Sequence, residues 1–223
     1  MSVNGGRLKA KTWSTQASIS HQVNRTSDNN IPDPLRSGVD MMVPTLELGS
    51  PAPSFDLPGV DNRRYSLVSF GDKPVLVVIF SCNHCPYVKD YETRMVSIQQ
   101  DYASKGVRLV AINSNDDKAY PEDSFPEMVK RAKERGFNFP YLRDETQKVV
   151  EAYGGVCTPH VFAFDSKRLL RYRGRIDDSR DASKVTHPDL RNALDDLIAG
   201  SSVRVPDTKP FGCSIKWYSM KPG

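Results

Sequence analysis

The sequence predicts an α/β domain with a mixed central sheet and helices on both of its faces. Three observations lead there. The run VLVVIF at 75–80 is apolar at every position and mostly β-branched, as a strand buried on both faces must be. After it, Tyr87, Tyr91, Met95, Ile98 and Tyr102 recur at helical spacing and mark one face of a helix. A second buried strand, VRLVAIN at 107–113, is expected after Gly106, which ends that helix. Strand, helix and strand in this order imply parallel pairing through a right-handed crossover.

The remaining elements extend the same plan. Order is expected to begin near Val43. A Pro-rich entry leads into a short strand at 55–57, with 65–70 as its hairpin partner. A polar loop carries Asp116, Asp117, Glu122 and Asp123, and a solvated loop is expected there rather than a cation site. Ser124 with Glu127 forms a capping-box pattern that opens a helix running toward Gly136. Asp144 and Gln147 start a shorter helix that stops at Gly154 and Gly155. HVFAFD at 160–165 and LLRYRGR at 169–175 read as a strand pair joined by a tight turn. Thr186, Pro188 and Asp189 open a last helix with Leu190, Leu194, Leu197 and Ile198 toward the core, and Gly200 closes it.

At 223 residues the chain suits one domain with length to spare. Residues 1–42 lie outside the expected domain at 43–200. They are basic, rich in Ser and Thr, and lack acidic residues up to Ser27. A disordered or mis-assigned extension is the expectation, with a cytoplasmic protein. The alternative is a transit peptide and an organelle stroma or matrix. Residues 201–223 read as an irregular tail docked on the domain, with Trp217 and Tyr218 as anchors. The net charge of +4 is spread without a long basic run, so no nucleic-acid partner is indicated. No apolar stretch is long enough for a membrane helix, so no membrane partner is expected.

The chemistry lies in Cys82-Asn83-His84-Cys85, at the junction between the buried strand and the amphipathic helix. The thiolate is the nucleophile of disulfide exchange, and unpaired N–H groups at a helix start favour it. Cys82 is expected to be the exposed attacker and Cys85 the less accessible thiol that resolves the mixed disulfide. Half of a zinc site would need a second Cys/His pair at ligand spacing, which the sequence lacks, so no metal and no cofactor are expected. His84 either tunes the potential of the pair or is a solvated residue at the helix start. A second element, Cys157-Thr158-Pro159, opens the strand HVFAFD, where a proline needs a reason.

The segments LGSPAPSFDLP, FSCNHCPYV, AINSND, FPYLRDETQ, AYGGVCTPHVFAFD and the terminal GCSIKW together resemble the redoxins. These are the thioredoxin-like, peroxiredoxin-like proteins of the alkyl hydroperoxide reductase/thiol-specific antioxidant superfamily. The resemblance implies a thioredoxin fold with an added N-terminal hairpin. It also implies Cys82 and Cys85 as the redox pair and Pro159 as the cis-proline. The Thr158 backbone would then pair with an extended substrate segment. Ser81 stands where thioredoxins have Trp. Val78 and Cys82 replace the Pro and Thr of the peroxiredoxin P-x-x-x-T-x-x-C pattern.

The expected activity is thiol–disulfide oxidoreduction in cell redox homeostasis. Its partners are protein thiols and disulfides, or an upstream thioredoxin-type reductant. The alternatives are a thiol peroxidase acting on peroxide and a copper- or metal-binding module built on Cys82, Cys85 and His84. Cys157 and Cys213 are candidate secondary thiols, with Cys213 expected to act through Cys157.

Overall fold

The structure, a computed structural model, describes residues 45–219. The expectations for residues 1–42 lie outside them. A five-stranded mixed sheet runs in the order β5-β4-β3-β7-β8. Its members are β3 (Val75–Ser81), β4 (Val107–Asn113), β5 (Tyr141–Arg143), β7 (His160–Phe164) and β8 (Leu170–Gly174). β4 pairs parallel to β3 and to β5, while β7 is antiparallel to β3 and β8. Two small antiparallel ladders flank it: β1 (Asp56–Pro58) with β2 (Arg64–Ser66), and β6 (Cys157–Thr158) with β9 (Cys213–Ser214).

β3 is central because all seven of its residues are buried. Alternation divides its side chains between two cores. Val75, Val77 and Ile79 meet Tyr91, Met95 and Ile98 of α1 (Pro86–Tyr102) and Leu190 and Leu194 of α4 (Asp189–Ile198). Met128 of α2 (Phe125–Glu134) joins that core. Leu76, Val78 and Phe80 face the other way, toward Val149, Val150 and Tyr153 of α3 (Lys148–Tyr153) and toward Tyr65 and Phe70. Each fully buried apolar side chain contributes about 1.5–3 kcal/mol by leaving water.

Several local expectations change. The partner of β1 stops at Ser66, because reciprocal bonds between Ser66 and Ser69 start a 3₁₀ turn over Leu67–Phe70. β5 has no counterpart in the expected elements: three residues are too short to show a period, and the strand ends in the buried Arg143. Ser124 caps α2 without a side-chain bond. The cap of α3 comes from Asp144, whose Oδ2 accepts from the Val149 and Val150 N–H groups at 3.2 and 3.0 Å. Thr186 does not cap α4 but bonds Asp178. Ile198, the last residue of α4, is 39% exposed rather than turned toward the core.

Gly106 has φ +83°, and a Cβ there would lie 2.8 Å from the Pro74 ring. It turns the chain from α1 into β4. Gly106→Ala is therefore expected to cost about 1–2 kcal/mol. A thermal melt should show a fall of roughly 2–8 °C, and an unchanged melting temperature would refute this account of the turn.

Candidate active site

Cys82 leaves the end of β3, and Cys85 is the N-cap residue of α1, with Pro86 in the first turn. The helix thus starts three residues later than a helix beginning at Cys82 would. The Val88 N–H of its first turn points toward the Cys85 sulfur without making a capping hydrogen bond. The expected exposed attacker is not exposed. Cys82 and Cys85 are 1% and 0% accessible, because Cys213 and Tyr87 cover them.

The segment between the two cysteines is held from below by Asp123, which lies in the loop expected to be solvated. Asp123 is fully buried. Its carboxylate accepts from the Asn83 N–H at 2.6 Å, from Asn113 Nδ2 at 3.3 Å and from Asn115 Nδ2 at 2.9 Å. It also meets His84 Nδ1 at 2.5 Å. Tyr120 stacks on the His84 ring at 4.8 Å. The Tyr141 hydroxyl donates to Asn83 Oδ1 at 3.0 Å, and Asn83 Nδ2 donates to the Glu122 carbonyl at 2.7 Å. His84 is therefore neither free nor solvated. Buried carboxylates need several donors, and the Asn-rich run AINSND is the sequence signal that supplies them. Asp116 is buried in the same loop.

The Thr158–Pro159 peptide is cis. Thr158 Oγ1 lies 3.2 Å from Cys82 Sγ, and the neutral Cys85 thiol donates to the Thr158 carbonyl at 3.4 Å. The Thr158 backbone, expected to pair with a substrate, pairs with Cys213 of the chain's own tail. The tail is fastened beyond that point. Ile215 is buried, the Lys216 carbonyl accepts from the Asp116 N–H at 2.7 Å, and the Tyr218 hydroxyl contacts Arg143 and Asp117, each at 3.0 Å. Tyr218 is an anchor, whereas Trp217 is 43% exposed.

Cys157 stands apart. It faces Ser214 across the ladder, and partners in an antiparallel pair share a face. Its side chain is therefore on the opposite side from Cys213. The expected route from Cys213 through Cys157 gives way to a direct contact between Cys213 and the redox pair.

These contacts separate the two thiols electrostatically. Cys85 gathers donors from the Cys82 and Cys213 thiols and from the Val88 and Cys213 N–H groups. The Cys82 thiol is the strongest of them, and together they bring the Cys85 pKa down to about 4. Burial holds the Cys82 thiol well above its ordinary range, and its bond to Cys85 and the Asp123 charge add to this. Burial pushes Cys157 up to about 12, with the Cys85 and Cys213 charges adding. Donor atoms of Cys82, His84 and Asp123 lie within 4.8 Å of one another. His84 and Asp123 already bond to each other there, and Cys85 is not in the group.

The Redoxin family profile matches residues 47–194. Over 128 residues the chain is 28% identical to the thiol-disulfide oxidoreductase ResA of Geobacillus thermodenitrificans strain NG80-2, covering 56% of this chain and 68% of that protein. Two crystal structures are similar over 79% of the chain. One is an uncharacterized conserved protein of Geobacillus kaustophilus, at 45% identity, TM-score 0.74 and 94% of its length. The other is a hypothetical protein, SMc02350, of Sinorhizobium meliloti 1021, at 38% identity, TM-score 0.75 and 98% of its length.

Asp123→Ala removes the acceptor of several buried donors at once. It is expected to cost about 2–4 kcal/mol in urea unfolding. It also removes a charge that opposes ionisation of Cys82, so the Cys82 pKa should fall toward its ordinary value. A variant with unchanged stability and an unchanged Cys82 titration would refute the role given to Asp123.

Proposed function

The chain belongs to the Redoxin family, and we propose that it is a thiol–disulfide oxidoreductase working through Cys82 and Cys85. The observation that carries this reading is the placement of two unpaired thiols in one turn between β3 and α1, with Thr158 flanking both sulfurs. One thiol sits on the N-terminal turn of α1 among converging donors, and its neighbour is buried beside a carboxylate. Such a pair holds one thiolate and one thiol near neutral pH, the state that thiol–disulfide exchange needs.

In the reductive direction, with the covering tail strand displaced, the Cys85 thiolate attacks one sulfur of a substrate disulfide. An S–S bond forms between enzyme and substrate, and the substrate's second sulfur leaves as a thiolate. Cys82 gives up its proton and attacks Cys85 Sγ, which closes the Cys82–Cys85 disulfide. The substrate leaves fully reduced, having gained two electrons and one proton from the pair and a second proton from solvent. The oxidative direction is the reverse. Cys85 thus takes the attacking role that its sequence position had given to Cys82, because α1 starts at Cys85. Asp123 positions the intervening Asn83 and His84, and Thr158 flanks both sulfurs.

The partners are thiols and disulfides, and a thioredoxin-type protein is proposed as the upstream reductant. A peroxidase reading is less well supported, because Cys82 stands where that chemistry needs a threonine. A metal module is disfavoured because two of the three clustered groups are bonded to each other.

Cys82→Ser and Cys85→Ser are each expected to abolish turnover of a protein disulfide such as insulin, with a fall of at least about 10³-fold. Brief iodoacetamide treatment of the reduced protein near pH 6 should modify Cys85 ahead of Cys82. Full turnover by either serine variant would refute the proposal, and faster labelling of Cys82 would return the attacking role to it.

A further inference from the structure

The tail that covers the site carries a thiol of its own. In the β6–β9 ladder Cys213 is opposite Thr158, so the two side chains share a face. On that face Thr158 Oγ1 meets Cys82 Sγ. Cys213 accordingly packs on the cluster of Cys82, Cys85 and Val88, and both its thiol and its N–H reach the Cys85 sulfur. The approach is built into the backbone. A Cβ on Gly212 would lie 2.1 Å from the Thr158 carbonyl oxygen and 2.7 Å from its carbon. Those are main-chain atoms that cannot swing aside, so only glycine lets the strand come this close. Beyond it, Ile215, Lys216 and Tyr218 hold the strand in register. Of the three thiols that meet here, Cys82 and Cys85 are buried and only Cys213 is partly open to solvent.

We propose that Cys213 is a third redox-active thiol, which exchanges with the Cys82–Cys85 disulfide and carries it outward as a Cys85–Cys213 disulfide. The inference rests on the reading of Cys82 and Cys85 as the redox pair. Cys213, as its thiolate, attacks Cys85 Sγ. The Cys85–Cys213 bond forms, the Cys82–Cys85 bond breaks, and Cys82 leaves and takes up the proton lost by Cys213. No electrons enter or leave, so the step needs no outside oxidant. The buried disulfide becomes one with a solvent-facing sulfur. An external thiol then attacks Cys213 Sγ, forms a mixed disulfide there, and expels Cys85 as a thiolate. That is the form the helix start and its donors stabilise, and a stabilised thiolate leaves fastest. Burial and the charge on Cys85 hold the Cys213 pKa up at about 11 in the reduced protein. The part of that rise due to Cys85 is absent once Cys85 is in a disulfide, which eases ionisation of the attacker in the state that requires it.

The test is disulfide mapping of the full chain. Protein oxidised with diamide is held near pH 8, quenched in acid, alkylated and analysed by mass spectrometry. Wild type is expected to contain both Cys82–Cys85 and Cys85–Cys213 linkages, with Cys157 alkylated. Cys82→Ser should give Cys85–Cys213 as its main linkage. Gly212→Ala retains every thiol but moves the strand away, so the Cys85–Cys213 fraction should fall about tenfold while Cys82–Cys85 persists. If Cys82–Cys85 forms and Cys213 remains fully alkylated in wild type and in Cys82→Ser, the relay is wrong and the redox pair stands. An undiminished Cys85–Cys213 fraction in Gly212→Ala overturns the docking argument. Failure of Cys82–Cys85 to form in wild type overturns the underlying reading and the relay with it.

Discussion

Pro86 opens α1 and makes Cys85, rather than Cys82, the N-cap residue of that helix. The rest of the site is arranged around this constraint. A sulfur at a helix N-cap is a place for negative charge, and the neighbouring thiol, one turn back in the strand-to-helix connection, becomes the place for the proton. Asp123 reinforces the difference. Its carboxylate holds the loop between the cysteines by bonding Asn83 and His84, and its charge adds to the burial that holds the Cys82 thiol up. One buried carboxylate thus serves both shape and electrostatics.

The same constraint explains why the tail matters. An anionic sulfur under a low-dielectric cover needs donors, and the tail contributes two of them from Cys213. Gly212 sets how near those donors come, and the bonds of Lys216 and Tyr218 to the loop around Asp116 and to Gln147 fix where the strand lies. The Asp116 loop therefore connects the buried carboxylate that shapes the active-site turn with the segment that covers it. A segment in this position competes with any extended substrate for the Thr158 backbone.

Much of the fold was legible because it rests on long-range periodicity. β3 and β4 are seven-residue strands built on mostly apolar runs, and the buried face of α1 repeats over four turns. β5, β6 and β9 were not legible, since two or three residues carry no period and their pairing is set by distant partners. At the site, the C-x-x-C spacing and the proline before β7 named the right neighbourhood. Asp123 did not stand out, because a buried carboxylate looks in sequence like any loop acid until its donors are brought to it. Nor did the role of Cys213, which depends on strand register: pairing Thr158 with Cys213 places the two on one face, and a shift of one residue would have presented Cys157 instead.

The central claim is that Cys85, not Cys82, bears the thiolate of the reduced pair. The direct measurement is a pH titration of the reduced protein with ¹³Cβ-labelled cysteine, assigned by single substitution. Cys85 has a depressed folded-state pKa, so its ionisation stabilises the fold fully above the ordinary thiol pKa. That contribution is lost as pH falls through about 4. Cys82 has a raised pKa, so its contribution is present below the ordinary thiol value and is lost as pH rises through the folded one. The account predicts that the Cys85 Cβ resonance shifts near pH 4 while that of Cys82 stays unchanged to beyond pH 9. A Cys82 resonance that titrates below neutrality while Cys85 stays protonated there would contradict it.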